Sequence, residues 1–129
     1  MQGSAGDRIF RLSHGPSLPA NVSADKNPFY STTPGEATQD QVFLLSIVEV
    51  NKYFRSDSLL TCLPTEYTLA QGVWADDETS TCWWWLRSPG NYYNCAAGID
   101  WDGAIDSKGV SVTYSRGSIR PAIWINAGS

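Results

Sequence analysis

Charge is scarce in this sequence: Asp, Glu, Lys and Arg make up 17% of its 129 residues, and the net charge is −4. No basic stripe is available to neutralise phosphates, so nucleic acid and anionic lipid surfaces are poor partners. No apolar run approaches the ~20 residues that span a bilayer, which excludes direct membrane insertion. Met1 to Gly6 has neither the charged nor the apolar region of a signal peptide and, like Ala127 to Ser129, has the small-residue composition of a linker or tag. Histidine occurs once, as His14, with no Cys or Ser motif nearby, so a nucleophile–base pair has no support and the chain reads as non-catalytic. The three cysteines, Cys62, Cys82 and Cys95, are too few for a disulfide framework and form no C-x-x-C pair of metal-ligand spacing. No metal or other cofactor is expected. Cys62 and Cys82 are free to pair if the protein matures outside the cytosol, leaving Cys95 odd.

What is present is apolar: 42% hydrophobic residues, six of them tryptophan, suffice for the core of one domain over residues 7–126. From Asp7 to Gln41 prolines and small polar residues predict mostly loop, with one short strand at Ile9 to Leu12. Asn27-Pro28-Phe29-Tyr30 reads as a turn whose aromatics dock on the core. Gln41 to Leu45 has the length of a short strand. Ser46 with Glu49 forms a capping box that starts a helix from Ile47 to Phe54, with Ile47, Val50 and Phe54 facing inward. A second short helix follows Pro64, with Thr65 as N-cap and Gly72 just beyond its end. Residues 76–81 read as polar loop.

From Cys82 onward the period changes, and 82–126 is the β-rich half. Alternation over Trp83 to Ser88 places Trp83 and Trp85 on one side, with Trp84 and Leu86 on the other. Asp102-Gly103 predicts a type I′ hairpin between strands at Ala97 to Trp101 and Ala104 to Asp106, with Val110 and Val112 alternating beyond. A last strand spans Ser118 to Asn126, with Ile119, Pro121, Ile123 and Ile125 on one face; its proline predicts an edge or a bulge.

Few residues offer chemistry. Asp100, Asp102 and Asp106 carry calcium-type oxygens, but they lack EF-hand spacing and read as turn residues. Asp76-Asp77-Glu78 reads as a solvated run. The Trp83-Trp84-Trp85 run suits core packing better than sugar stacking. Arg87 and Arg120, in apolar strands, are expected to brace the fold through backbone carbonyls or an ion pair. The informative stretch carries Asn91, Tyr92, Tyr93, Asn94, Asp100, Trp101, Asp102, Asp106, Ser107, Thr113, Tyr114, Ser115 and Arg116. These types combine rigid aromatic contact with adaptable hydrogen bonding, so the thirteen form the candidate ligand-binding set, with Tyr92, Tyr93, Trp101 and Tyr114 as its hot spot.

The blocks Thr38 to Ser46, Glu49 to Phe54, Cys82 to Gly90 and Ile119 to Ile125 resemble the hallmark segments of an uncharacterised bacterial domain family found in secreted or surface proteins. The order of Trp-x-Arg-Ser block, small-residue strand, Gly turn and Arg-Pro strand is also similar to C-type-lectin-like domains of the formylglycine-generating-enzyme type. That resemblance implies an α+β, C-type-lectin-like fold, two short helices packed on a twisted, mainly antiparallel sheet. It further implies a surface-displayed recognition or adhesion domain with a protein or glycan ligand. The same fold includes variable proteins of diversity-generating retroelements, whose C-terminal segment is rewritten at adenines. Replacing the adenines of an AAC codon can give, among others, Asn, Tyr, Asp, Ser, Thr, Cys, Gly, Ala or Arg. Those types recur from Asn91 to Arg116, including Cys95 and Gly98, whereas Trp101 is unreachable by that route. The Glu-Pro-Asn sugar motif of calcium-dependent lectins is absent. The alternative is a fixed carbohydrate-binding or structural module, and an enzyme of this type would require a reactive, low-pKa cysteine pair.

Overall fold

The computed structural model describes residues 17–18, 20–22 and 26–125. The expected strand at Ile9 to Leu12, His14 and both terminal segments lie outside them. In chain order the elements are β1 (Ser17–Leu18), β2 (Ala20–Val22), β3 (Thr38–Asp40), α1 (Ile47–Tyr53), a 3-10 turn at Asp57–Leu60, α2 (Glu66–Ala70), β4 (Trp84–Pro89), β5 (Cys95–Ile99), β6 (Ile105–Ser111) and β7 (Trp124–Ile125). The architecture is α+β. Strands β4, β5 and β6 form an antiparallel sheet in that order, and two short antiparallel ladders pair β1 with β7 and β2 with β3.

The alternation of β4 decides where the core lies. Trp84, Leu86 and Ser88 are buried, whereas Trp83, Trp85 and Arg87 are half-buried on the other side. Against Trp84 and Leu86 pack Phe43, Leu45, Ile47, Val50, Leu60, Ala97, Ile99 and Ala122. Burial obliges the Trp84 indole N–H to find an acceptor, and it donates to the Leu60 carbonyl at 2.9 Å. Helix α1 is capped as its sequence requires: Glu49 N–H donates to the Ser46 hydroxyl, and Ser46 N–H donates to the Glu49 carboxylate. The next helical amide, that of Ile47, donates to Ser88 Oγ at 2.9 Å and docks the helix start on β4. Arg87 donates to the Leu44 carbonyl at 2.7 Å and pairs with Glu49. Arg120 donates to the Leu59 carbonyl and lies over the rings of Phe54 and Trp84. Both arginines therefore brace the fold. Thr65 caps α2, and Gly72 follows its end with positive φ.

Several expectations need correction. Within Gln41 to Leu45 only Phe43 makes a bridge, to Ala122, and Leu45 lends its carbonyl to Arg87 N–H. The regular strand lies earlier, at Thr38–Asp40, where β2 offers a partner. The Asp102-Gly103 turn is not type I′, which demands positive φ at both central residues. Only Gly103 has it, and strand pairing resumes at Ile99 and Ile105, so the loop takes in 100–104. Trp101 and Ala104 accordingly leave the strands assigned to them, while Asp106 stays in β6. Ser118 to Asn126 is not one strand over its described residues: Ser118 and Ala122 make isolated bridges, and only Trp124–Ile125 pairs regularly. The alternation breaks with it, leaving Ile119 and Pro121 exposed while Ala122 and Ile125 are buried. Phe29 and Tyr30 do not dock on the core; Asn27 is buried in their place.

Candidate functional site

The two turns flanking β5 lie at opposite ends of the sheet, so the thirteen candidate residues do not form one surface. At one end, Tyr92, Tyr93 and Asn94 of the β4–β5 turn are exposed, with Asn91 half-buried beside them. The turn is tied down by its backbone: Asn91 N–H donates to the Lys108 carbonyl at 2.8 Å, Cys95 N–H to that of Tyr92 at 3.0 Å, and Val112 N–H to that of Asn94 at 2.9 Å. The last of these brings Thr113 beside Asn94. From there the chain turns back, placing exposed Tyr114 against Trp83, with ring centroids 5.8 Å apart and planes 28° from parallel. Trp83 in turn meets Trp85 edge-on. Gly117 is the only residue type that fits there, because a Cβ would stand 2.3 Å from the Trp83 ring. Arg116 donates from Nε to the Gly72 carbonyl, and its own carbonyl accepts from Trp74 N–H.

A second wall comes from a segment that the sequence marked only as loop, with a turn at Asn27 to Tyr30. Residues 30–33 face 91–93 across an open cleft of about 580 Å³. Asn27 holds that wall in place. Its amide nitrogen donates to the Pro89 carbonyl at 2.8 Å and the Ser107 carbonyl at 2.7 Å, and its side-chain oxygen accepts from Phe29 N–H at 2.9 Å. With 3% of its surface exposed, Asn27 has every polar group of its side chain engaged. The Thr32 hydroxyl adds a bond to the Gly90 carbonyl. These contacts link positions 58 to 80 residues apart. Asn-Pro was a legible turn signal, but nothing local named its distant partners.

At the opposite end sit Asp100, Trp101 and Asp102, all exposed, with Asp106 half-buried on β6 nearby, while Ser107, also half-buried, lies further along β6 where its carbonyl meets Asn27. The carboxylates of Asp102 and Asp106 are used locally, accepting from Ala104 N–H at 3.1 Å and Gly109 N–H at 3.0 Å. Burial raises the Asp100 pKa, and the charges of Asp106 and Asp102 push it further up. Among the described residues no group of three or more His, Cys, Asp or Glu side chains is arranged to hold a metal. This end closes a turn. Asp76 likewise serves its own loop: its carboxylate accepts from Thr79 and Glu78 N–H, and those bonds, Thr79 first, lower its pKa.

Cys62 and Cys82 stand opposite each other across an isolated antiparallel bridge as free thiols. Burial first, and then Cys82, raises the Cys62 pKa, the reverse of what an activated thiol needs. No described helix is long and apolar enough to cross a membrane. No curated protein and no solved structure matches the chain. The model of a family described as a domain of unknown function, DUF6273, matches residues 18–127, and the chain belongs to that family.

Proposed function

We propose that this chain is a non-catalytic recognition domain of a secreted or surface-displayed bacterial protein, built on a C-type-lectin-like scaffold. Its ligand surface is the end of the sheet where 91–94 and 30–33 face each other, with Thr113 beside Asn94. The observation that carries the reading is the state of Tyr92 and Tyr93. Both are largely exposed, at 66% and 93%, on a backbone held by hydrogen bonds on either side. Large apolar rings kept in water on a rigid support lose little conformational entropy when a partner covers them. The scaffold assignment is supported by two short helices, an antiparallel sheet and a ladder joining the first and last described strands.

Diversification by adenine replacement is part of the proposal, restricted to positions with room for it. Tyr92 to Asn94 and Thr113 to Arg116 are exposed and accept many side chains. Gly98 is not among them, since a Cβ there would lie 2.9 Å from the Trp84 carbonyl oxygen. Deep sequencing of the gene across its source population is expected to find adenine-restricted variation in those codons and constancy from Trp83 to Gly90. Uniform low variation would remove diversification and leave a fixed recognition surface.

Recognition itself is tested by probing an array of glycans and extracellular proteins with the intact chain, the double variant Tyr92→Ala/Tyr93→Ala and Glu36→Ala as control. Specific signals should disappear in the double variant and persist in the control. A blank array, or signals indifferent to both tyrosines, would refute the reading.

A further inference from the structure

We infer that the cleft between residues 30–33 and the β4–β5 turn is a binding site for an uncharged saccharide, an assignment that rests on the recognition reading above. Its lining carries the argument. The lining residues include three aromatics, Tyr30, Tyr92 and Tyr93, the hydroxyl residues Ser31 and Thr33 and the amide residue Asn91; the full lining of 30–33 and 91–93 contains no charged side chain. The cleft therefore offers a ligand no side-chain charge to pair with. An anionic ligand would need a cation to offset its desolvation, and a cationic ligand a carboxylate. A wholly apolar ligand would strand the hydroxyls and the amide without partners. A sugar ring meets both halves of the lining, its C–H face lying on an aromatic ring while its hydroxyls exchange hydrogen bonds at the edge.

Size and rigidity point the same way. A volume of about 580 Å³ falls within the range of small-ligand sites, ~300–1,000 Å³. Seven lining residues fall well short of the roughly 20–30 that each side of a protein interface contributes. The walls are also joined before any ligand arrives, through the bonds of Asn27 and Thr32 to Pro89, Ser107 and Gly90. A weakly held sugar benefits most from a site that needs no ordering on binding.

The test is titration of the full chain, by calorimetry and by amide chemical shifts, with neutral hexasaccharides and a charged control. The neutral set is β-1,4-linked glucose, mannose, xylose and N-acetylglucosamine together with α-1,4-linked glucose; the control is oligogalacturonate. At least one neutral oligomer is expected to bind in the micromolar to millimolar range, shifting amides of 30–33 and 91–93, while oligogalacturonate does not bind. Tyr92→Ala and Tyr93→Ala should each weaken binding about threefold to tenfold, the worth of a stacked ring. Tyr93→Phe keeps the ring and should stay within about twofold of the parent. Glu36→Ala, exposed and outside the lining, should leave sugar affinity unchanged. The assignment is overturned if no neutral oligomer binds the folded chain, if both tyrosine-to-alanine variants bind unchanged, or if oligogalacturonate competes equally. Should sugars fail while the array yields a protein ligand lost in the double variant, the saccharide falls and recognition stands. Should both fail, recognition falls as well.

Discussion

The two ends of the three-stranded sheet are made of similar residues and do opposite things. The β4–β5 turn, Asn91-Tyr92-Tyr93-Asn94, and the β5–β6 turn, Asp100-Trp101-Asp102-Gly103, are both short, polar and aromatic. At the first, a distant loop stands across an open gap and the rings face water. At the second, Gly103 is pressed against the Asp57 backbone, and Asp102 is engaged with its own turn. Composition marks a turn; what the rest of the chain places opposite it decides between display and closure.

This contrast can be broken from either side. The largest effect is expected at the closed end, where Gly103→Ala puts a Cβ 2.0 Å from the Asp57 carbonyl oxygen at a φ of +90°. A loss of about 3–4 kcal/mol in urea denaturation should follow, because both strain and collision must be relieved. Gly103→Asn, which tolerates positive φ better, should recover little, since the collision remains. At the open end the sensitive residue is the buried one. Asn27→Ala removes the donor from two carbonyls and should cost about 2–3 kcal/mol. It should also weaken any ligand that needs the 30–33 wall.

A smaller effect separates the ends by pH. Burial and the neighbouring carboxylates raise the Asp100 pKa in the folded state above the 3.8 typical of the open chain, so folding takes up protons. Stability must therefore fall as pH rises from that value through the folded pKa. Asp100→Asn abolishes the fall. Its melting temperature should exceed the parent's at neutral pH and converge with it below about pH 3. The smallest effect is expected at Tyr93→Ala, within about 0.5 kcal/mol of the parent in stability, although the same change should impair binding.

Local signals were read well from sequence because their partners are close in the chain. The Ser46–Glu49 capping box, the Thr65 cap and the two faces of Trp83 to Ser88 each depend on neighbours a few positions away. The failures share the opposite property. Ile119 looks like a core residue within its own segment, yet the bridges at Ser118 and Ala122 fix a path that turns it outward. Asp102-Gly103 has the composition of a two-residue turn, but contact with Asp57 and pairing of Ile99 with Ile105 impose a longer loop. The cleft was half legible: Asn91 to Tyr93 stood out by residue type, while 30–33 became a wall only through bonds made by Asn27 and Thr32 to residues far along the chain.

The ladder between β1 and β7 has a mechanical consequence. Ser17 pairs with Ile125 and Leu18 with Trp124, so the first and last described strands lie side by side. Tension applied through both flanks of an antiparallel pair arranged in this way loads its rungs one after another, as in a zipper, rather than all together in shear. Two rungs peeled in sequence yield at low force. The three-stranded sheet is reached only afterwards, so under pull the ladder would serve as a short extensible tether while the cleft keeps its shape.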